Sequence, residues 1–290
     1  MTSKIIRAAL PCAAAAVLAA GPATAQIRVL NPFGSPQGSV QQLVTQSAAA
    51  AYPCVTPAAG SKTVSWNGRK YKMANGRAWN SQTPHAVCLG STNDYVRFEL
   101  RDTSNDHGPN DASTKRRAEL GTQVGYRNGV TYWVAYSTRA HVNGLNKNLG
   151  QTMDQFQDPE GSSPSISHRL VNCSSPGGAC MNTTTRYNQD GSGGKTVSRG
   201  QVPFALDVAH DIVMQFQMGT NGFQKTWLDG KLVSDYKGPI GSSRQDGYDL
   251  RFGTYGAPIS GMSIVQEYKN FSDLGSTASL NSRITSRPAW

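Results

Sequence analysis

Tyr248-Asp249-Leu250-Arg251-Phe252-Gly253-Thr254-Tyr255 alternates with a period of two, the spacing of a β-strand. Tyr248, Leu250 and Phe252 share one face, an apolar set that requires a core. Asp249, Arg251, Gly253 and Tyr255 share the other. That second face puts a cation and a phenol on one side, with a glycine between them that leaves room for a ligand to approach. A strand facing only solvent would more often carry Thr, Lys, Glu or Ser there. The stretch reads as the wall of a cleft.

Working outward, the same two-faced pattern recurs. In residues 95–101, Val96, Phe98 and Leu100 point one way and Arg97, Glu99 and Arg101 the other. Residues 117–120 place Arg117 and Glu119 on a polar face, and 151–157 place Gln155 and Gln157 together with Phe156 between them. In 212–218, Ile212, Met214 and Phe216 turn inward, leaving Val213, Gln215 and Gln217 outward. Residues 130–139 form an aromatic-rich strand, and 165–171 and 263–271 complete the set. Strands 63–66 and 69–73 flank Asn67-Gly68, and 223–228 and 231–233 flank Asp229-Gly230, both two-residue hairpin signals. Residues 40–51 suit a short helix, 102–114 a polar loop, and 172–201 a long Gly/Ser/Thr-rich loop. Roughly ten or more short strands and few helices predict an all-β sandwich or jelly roll. Its polar faces, set side by side, would make a concave, hydrogen-bonding groove suited to a sugar chain.

The chain has 290 residues. Lys4 and Arg7 precede an apolar run over 8–20, and Ala23-Thr24-Ala25 supplies small residues for cleavage, so residues 1–25 read as a secretory signal peptide. Residues 26–60 then form an extension and 61–290 a single domain, in a protein that is secreted or periplasmic. No other stretch is long enough to span a bilayer. Removal of the signal takes Cys12 with it and leaves Cys54, Cys88, Cys173 and Cys180, an even number that argues for disulfides in an exported chain. Cys173 and Cys180 flank a flexible loop that a bridge would pin, which leaves Cys54 with Cys88. No CxxC or His/Cys cluster points to zinc. The formal charge is +10, and the signal carries two of the cations and no acids. For an exported protein, acidic polysaccharides, lipid surfaces or simple solubility account for that charge better than nucleic acid does.

Several chemistries lack their residues. There is no Gly-x-Ser-x-Gly elbow. Gly194-Lys195-Thr196 ends like a phosphate loop, but Gln189 stands where that motif needs glycine. The histidines show no helical metal spacing, and no strand carries the paired acids of a two-carboxylate hydrolase. The residues present suit β-elimination on a uronic acid. Arg and amide side chains would neutralise the carboxylate as enolate-like charge develops. A tyrosine near a cation such as Arg251 can act as base and acid.

In this respect the chain resembles jelly-roll polysaccharide lyases, the heparin-lyase-type group with the glucuronan lyases and, more distantly, the alginate lyases. Arg117-Ala118-Glu119-Leu120 is similar to their Arg-(Ser/Thr/Ala)-Glu-Leu signature, and residues 248–255 to their Tyr-Phe-Lys-x-Gly-x-Tyr, with Arg251 where lysine is usual. Residues 223–231 resemble their Val-Trp-Leu-Asn-Gly-Lys hairpin. The resemblance implies a concanavalin-like jelly-roll β-sandwich that cleaves an acidic polysaccharide (alginate, glucuronan or a glycosaminoglycan) and works as a monomer. It implies Tyr255, Arg117 and Gln155 as the catalytic residues, with Arg251, Glu119, Gln157, Arg97 and Gln215 binding substrate. No cofactor follows from it with certainty; calcium could sit on the aspartates of residues 102–111, where no ligand pattern is diagnostic. One departure stands out: Gln157 occupies the place of a family histidine. Either Tyr255 then makes both proton transfers, or another histidine such as His168 or His141 moves in, or the protein is a non-catalytic, lectin-like binder.

Overall fold

Alternation of apolar and polar residues dominates the chain, and strands dominate its fold. A computed structural model describes residues 54–55, 57, 61–73, 87–90, 92, 94–101, 116–143, 150–157, 163–174, 178–188, 195–243, 247–256, 263–273 and 279–290. The signal segment, the 40–51 helix and the 102–114 loop lie outside these. The strands are β1 (Cys54–Val55), β2 (Thr63–Trp66), β3 (Arg69–Met73), β4 (Val87–Gly90), β5 (Tyr95–Arg101), β6 (Arg116–Tyr126), β7 (Thr131–Asn143) and β8 (Gly150–Gln157). They continue as β9 (Ile166–Asn172), β10 (Ala179–Tyr187), β11 (Lys195–Pro203), β12 (His210–Gln217), β13 (Phe223–Leu228), β14 (Lys231–Lys237), β15 (Tyr248–Gly256) and β16 (Ser263–Asp273), followed by a short helix α1 (Asn281–Thr285).

The strands form two eight-stranded antiparallel sheets. The first runs β1-β4-β5-β16-β7-β12-β13-β14 and the second β11-β10-β9-β8-β15-β6-β3-β2. Chain neighbours such as β15 and β16 lie in different sheets, so the connections cross between layers, as a jelly-roll β-sandwich requires.

The inward-facing alternate residues of both sheets fill one core. Phe252 of β15 is fully buried and meets Phe98, Tyr268 and Phe271 of the opposite sheet, with ring centroids 5.8, 5.4 and 4.8 Å away. Tyr71 packs edge-on against Phe252 at 5.4 Å. Aromatic pairs at such separations add about 0.5–1.5 kcal/mol each beyond their area burial. At the two predicted hairpins, Asn67 and Gly68 have φ of 50° and 71°, and Asp229 and Gly230 have 52° and 81°. Positive φ at both central residues is the type I′ geometry that matches strand twist.

Residues 172–201 depart from the sequence reading. They contain all of β10 and most of β11 rather than one long loop. The alternation there is written in small polar residues: Met181, Thr183 and Thr185 are buried while Asn182 and Arg186 lie on the other face. Threonine is a good strand former and buries readily, so the strand carries no sharp apolar-to-charged contrast. Cys173 and Cys180 are bridged across the β9–β10 turn. Cys88 is also disulfide-bonded; the side chain of Cys54, its expected partner, lies outside those described.

A chain of polar groups crosses the core. Asp154 of β8 accepts a short hydrogen bond from Tyr136 and contacts His168 Nδ1 at 2.9 Å, while His168 Nε2 lies 3.0 Å from Thr226 Oγ1. All four residues are fully buried. His168 is therefore a core histidine that ties β9 to β13 of the opposite sheet.

Candidate active site

Strands β8, β15 and β6 lie side by side in the second sheet. Their registers bring the chemically active residues together. Tyr255 pairs with Arg117, Gly253 with Glu119, and Arg251 with both Gly121 and Gln155. The side chains of Tyr255, Arg117, Glu119, Arg251 and Gln155 lie on the face turned away from the core, because Leu120, Phe252 and Phe156 fill the inward positions.

The contacts are specific. The Arg117 guanidinium carbon sits 3.9 Å from the centroid of the Tyr255 ring, a cation–π contact. Arg117 Nη1 donates to Glu119 Oε2 at 2.5 Å, and Gln155 Nε2 donates to Glu119 Oε1 at 2.7 Å. Glu119 has no solvent exposure, and its two oxygens orient an arginine and an amide that come from different strands. A buried carboxylate persists in this way only when paired and hydrogen-bonded.

The structure revises two details. Arg117, not Arg251, is the cation that covers the Tyr255 ring. Arg251 lies over Gly121, beyond the intervening Gly253–Glu119 row, and its guanidinium has no hydrogen-bond partner among the described residues. Gly253 does not make room for a ligand. A Cβ there would lie 2.2 Å from Ala118 O and 2.8 Å from Glu119 Cα, and its φ is +138°. The glycine lets β15 lie close against β6, while the β15–β8 register shifts between Phe252 and Tyr255. Tyr268 of the opposite sheet meets the glycine, its hydroxyl 2.9 Å from Gly253 O and accepting Gly253 N–H at 3.3 Å.

Gln157 shares the outer face, paired with Asp249. Arg97 and Gln215 do not join the cluster. They lie on β5 and β12 of the first sheet, with Val96 and Phe98, and Met214 and Phe216, turned into the core beside them. Their alternation turns them away from the core as expected, but alternation does not say to which sheet a strand belongs, and Arg97 instead pairs with Glu99 at 3.2 Å. The two histidines considered as replacements also lie elsewhere. His168 is in the core, and His141 sits on the first sheet between Asp207 and Glu267. Among the described histidines, none lies in the cluster.

Tyr255 is unlike the chain's core phenols. Tyr126, Tyr136 and Tyr268 are pushed well above the ordinary tyrosine range, first by burial and then by the negative charge of Asp273 for Tyr126 and of Asp154 for the other two. They stay protonated as structural donors. Tyr255 is only half-buried on the outer face.

A model described as polysaccharide lyase matches residues 61–273. The chain belongs to the polysaccharide lyase family. No curated protein sequence matches it. Among solved structures, this polysaccharide lyase is similar to the family 7 alginate lyase A1-II′ in complex with substrate, with TM-score 0.51 and 12% identity over 72% of this chain and 93% of that one. It is similar to the alginate lyase from Klebsiella pneumoniae, with TM-score 0.50 and 8% identity over 66% and 84% of the two chains. An endo-β-1,4-glucuronan lyase from the fungus Trichoderma reesei gives TM-score 0.48 and 15% identity over 60% and 79%. At such identities the first two bear on the fold, and they agree with a jelly-roll sandwich.

The outer face of the lyase's second sheet holds more than the sequence singled out. One register row crosses all eight strands as Thr63, Lys72, Gly121, Arg251, Gln155, Ser167, Thr184 and Ser198. It contains two cations, several hydroxyls and an amide, and no acid. Lys72 and Ser167 were legible as outward residues of predicted strands. Thr184 and Ser198 were hidden by the loop reading of 172–201.

Proposed function

We propose that this polysaccharide lyase is exported and cleaves a uronate-containing polysaccharide by β-elimination, with Tyr255 moving the proton. The observation that carries the reading is the convergence of Arg117, Glu119, Gln155 and Tyr255 from three adjacent strands. Arg117 and Gln155 face the uronate carboxylate and balance the charge that develops as the C5–H bond breaks. The electron pair forms the C4–C5 double bond, the C4–O bond breaks, and the leaving oxygen takes a proton. A single phenol can take the first proton and deliver it to the leaving oxygen when both lie on one face of the sugar. Glu119 touches no substrate in this scheme; it positions the guanidinium and the amide. Arg251 holds a neighbouring hydroxyl or carboxylate.

Export is supported by the signal-like segment 1–25 and by the Cys173–Cys180 disulfide. An acidic substrate is supported by the acid-free row across the sheet and by the chain's charge of +10. The test is a panel of alginate, glucuronan and glycosaminoglycans followed by ultraviolet absorbance of the unsaturated product end. Wild type should generate the chromophore on at least one of them. Tyr255→Phe should lose it while still binding the same glycan. Binding by wild type without any chromophore would show a lectin-like protein instead.

A further inference from the structure

We infer that Arg169 and Arg186 form a second carboxylate-binding subsite on the same face, which grips a uronate further along the chain from the one held at Tyr255. The inference rests on the proposed uronate reading and extends it. Arg169 lies on β9 in register with Thr152, which itself pairs with Tyr255. With strands ~4.8 Å apart, that places Arg169 about 10 Å from Tyr255 across the sheet, roughly two strand spacings. Arg186 lies on β10, the next strand. Both point outward, because His168 and Leu170, and Thr183 and Thr185, take the buried positions beside them.

The two guanidinium groups lack the carboxylate partner that several described arginines have. Arg97, Arg117, Arg139 and Arg283 each sit on a carboxylate. Arg169 instead gives Nη2 to Gly150 O at 3.0 Å, and its buried Nε has no partner. Arg186 gives Nη1 to Pro164 O at 3.0 Å and approaches Ser167 Oγ at 3.5 Å. Neither meets an acid among the described residues. The Arg186 guanidinium is held below its ordinary range, first by burial and then by the charge of Arg169. Two half-buried cations on the outer face of neighbouring strands, with no counter-ion among the described residues, are unfavourable alone and favourable around an anion. Ser167, Thr184 and Asn182 lie on the same outer face and supply hydroxyl and amide groups for sugar hydroxyls. The chemistry fits a carboxylate on a glycan already threaded across β15 and β8.

The test is the double variant Arg169→Gln/Arg186→Gln, assayed on the cleaved polysaccharide and on its shortest cleavable oligosaccharide. KM on the polymer should rise roughly tenfold or more, as expected for loss of charge-assisted hydrogen bonds. The change should be confined to long substrates, with kcat retained. Arg169→Lys/Arg186→Lys should recover part of the loss, since the charge returns without the planar fork. An unchanged KM on the polymer overturns the inference while leaving the lyase reading intact. Equal losses on short and long substrates also overturn it, because they indicate a structural role. If wild type neither cleaves nor binds any acidic polysaccharide, the lyase reading fails and takes this inference with it.

Discussion

Arg117 and Tyr255 face each other across the β6–β15 ladder, the guanidinium carbon 3.9 Å from the ring centroid. The stack and the 2.5 Å bond to Glu119 both use the planar shape of the guanidinium. Lysine could keep the charge but not the stack or the fork. Arg117→Lys should therefore lower kcat by about a hundredfold or more, the scale for losing a group that balances developing charge. Initial rates of chromophore formation measure this, and a kcat equal to wild type would count against a role for the stack.

Glu119 is fully buried between Arg117 and Gln155. Its removal leaves a guanidinium that is mostly shielded from solvent without its counter-charge. Glu119→Ala should cost about 3–5 kcal/mol, the usual range for breaking a buried pair. Urea denaturation gives the stability. Glu119→Gln separates positioning from folding: it keeps the shape and should lower kcat more than it raises KM. A Glu119→Gln enzyme with normal kcat would mean that Glu119 serves stability alone.

Gly253 holds the two strands of the site together by what it lacks. Its φ of +138° and the 2.2 Å approach of Ala118 O leave no space for a side chain. Gly253→Ala must move β15 away from β6, at a cost of at least ~1–3 kcal/mol for the backbone conformation alone. Because Glu119 Cα is the second atom in the way, activity should fall along with the melting temperature. Full activity in this variant would show that the close approach of β15 to β6 is not needed to place Glu119.

How far the sequence revealed this site depended on where its information is local. Period-two alternation identified Arg251 and Tyr255, Arg117 and Glu119, and Gln155 as outward residues on their own strands, and each is outward in the fold. Sheet membership is not local. Arg97 and Gln215 show the same alternation and belong to the opposite sheet, because strand order is set by crossovers that no period encodes. The Arg117–Tyr255 stack was missed for the same reason, since it joins residues far apart in the chain. Arg186 was lost for a different one: on β10 the buried residues include threonines, so inside and outside differ little in polarity.

The opposite sheet should carry a pH-dependent part of the stability. His141 lies 2.5 Å from Asp207 and 3.3 Å from Glu267, which also pairs with Arg139. Burial works against the charged imidazole, but the hydrogen bonds to Glu267 and Asp207 prevail and raise it above its usual 6.5. A raised folded value means stability that is present in full below the unfolded value near 6.5 and is lost as pH climbs through the folded one. His141→Gln should therefore lower the melting temperature more at pH ~5.5 than at pH ~8.5, the difference shrinking as pH rises. Equal losses at both values would rule out a charged His141.

The buried Asp154 makes the strongest prediction about stability away from the surface. A carboxylate can only accept, so Tyr136 donates to it and so does His168 Nδ1. At Nε2 the ring meets the Thr226 hydroxyl, which accepts from Gln224, while Ser234 donates to Gln224 Oε1. Each group depends on the next, and the chain links both sheets through the buried core. Asp154→Ala breaks it at its carboxylate and strands two donors, so it should cost about 3–5 kcal/mol. Asp154→Asn accepts through one oxygen only and should lose less. Because Asp154 adjoins Gln155 at the point where the β8 register shifts, residual activity should fall even in conditions where the variant is folded. A midpoint in urea close to wild type for Asp154→Ala would mean that the chain is replaceable packing, and that Gln155 is placed by β15 alone.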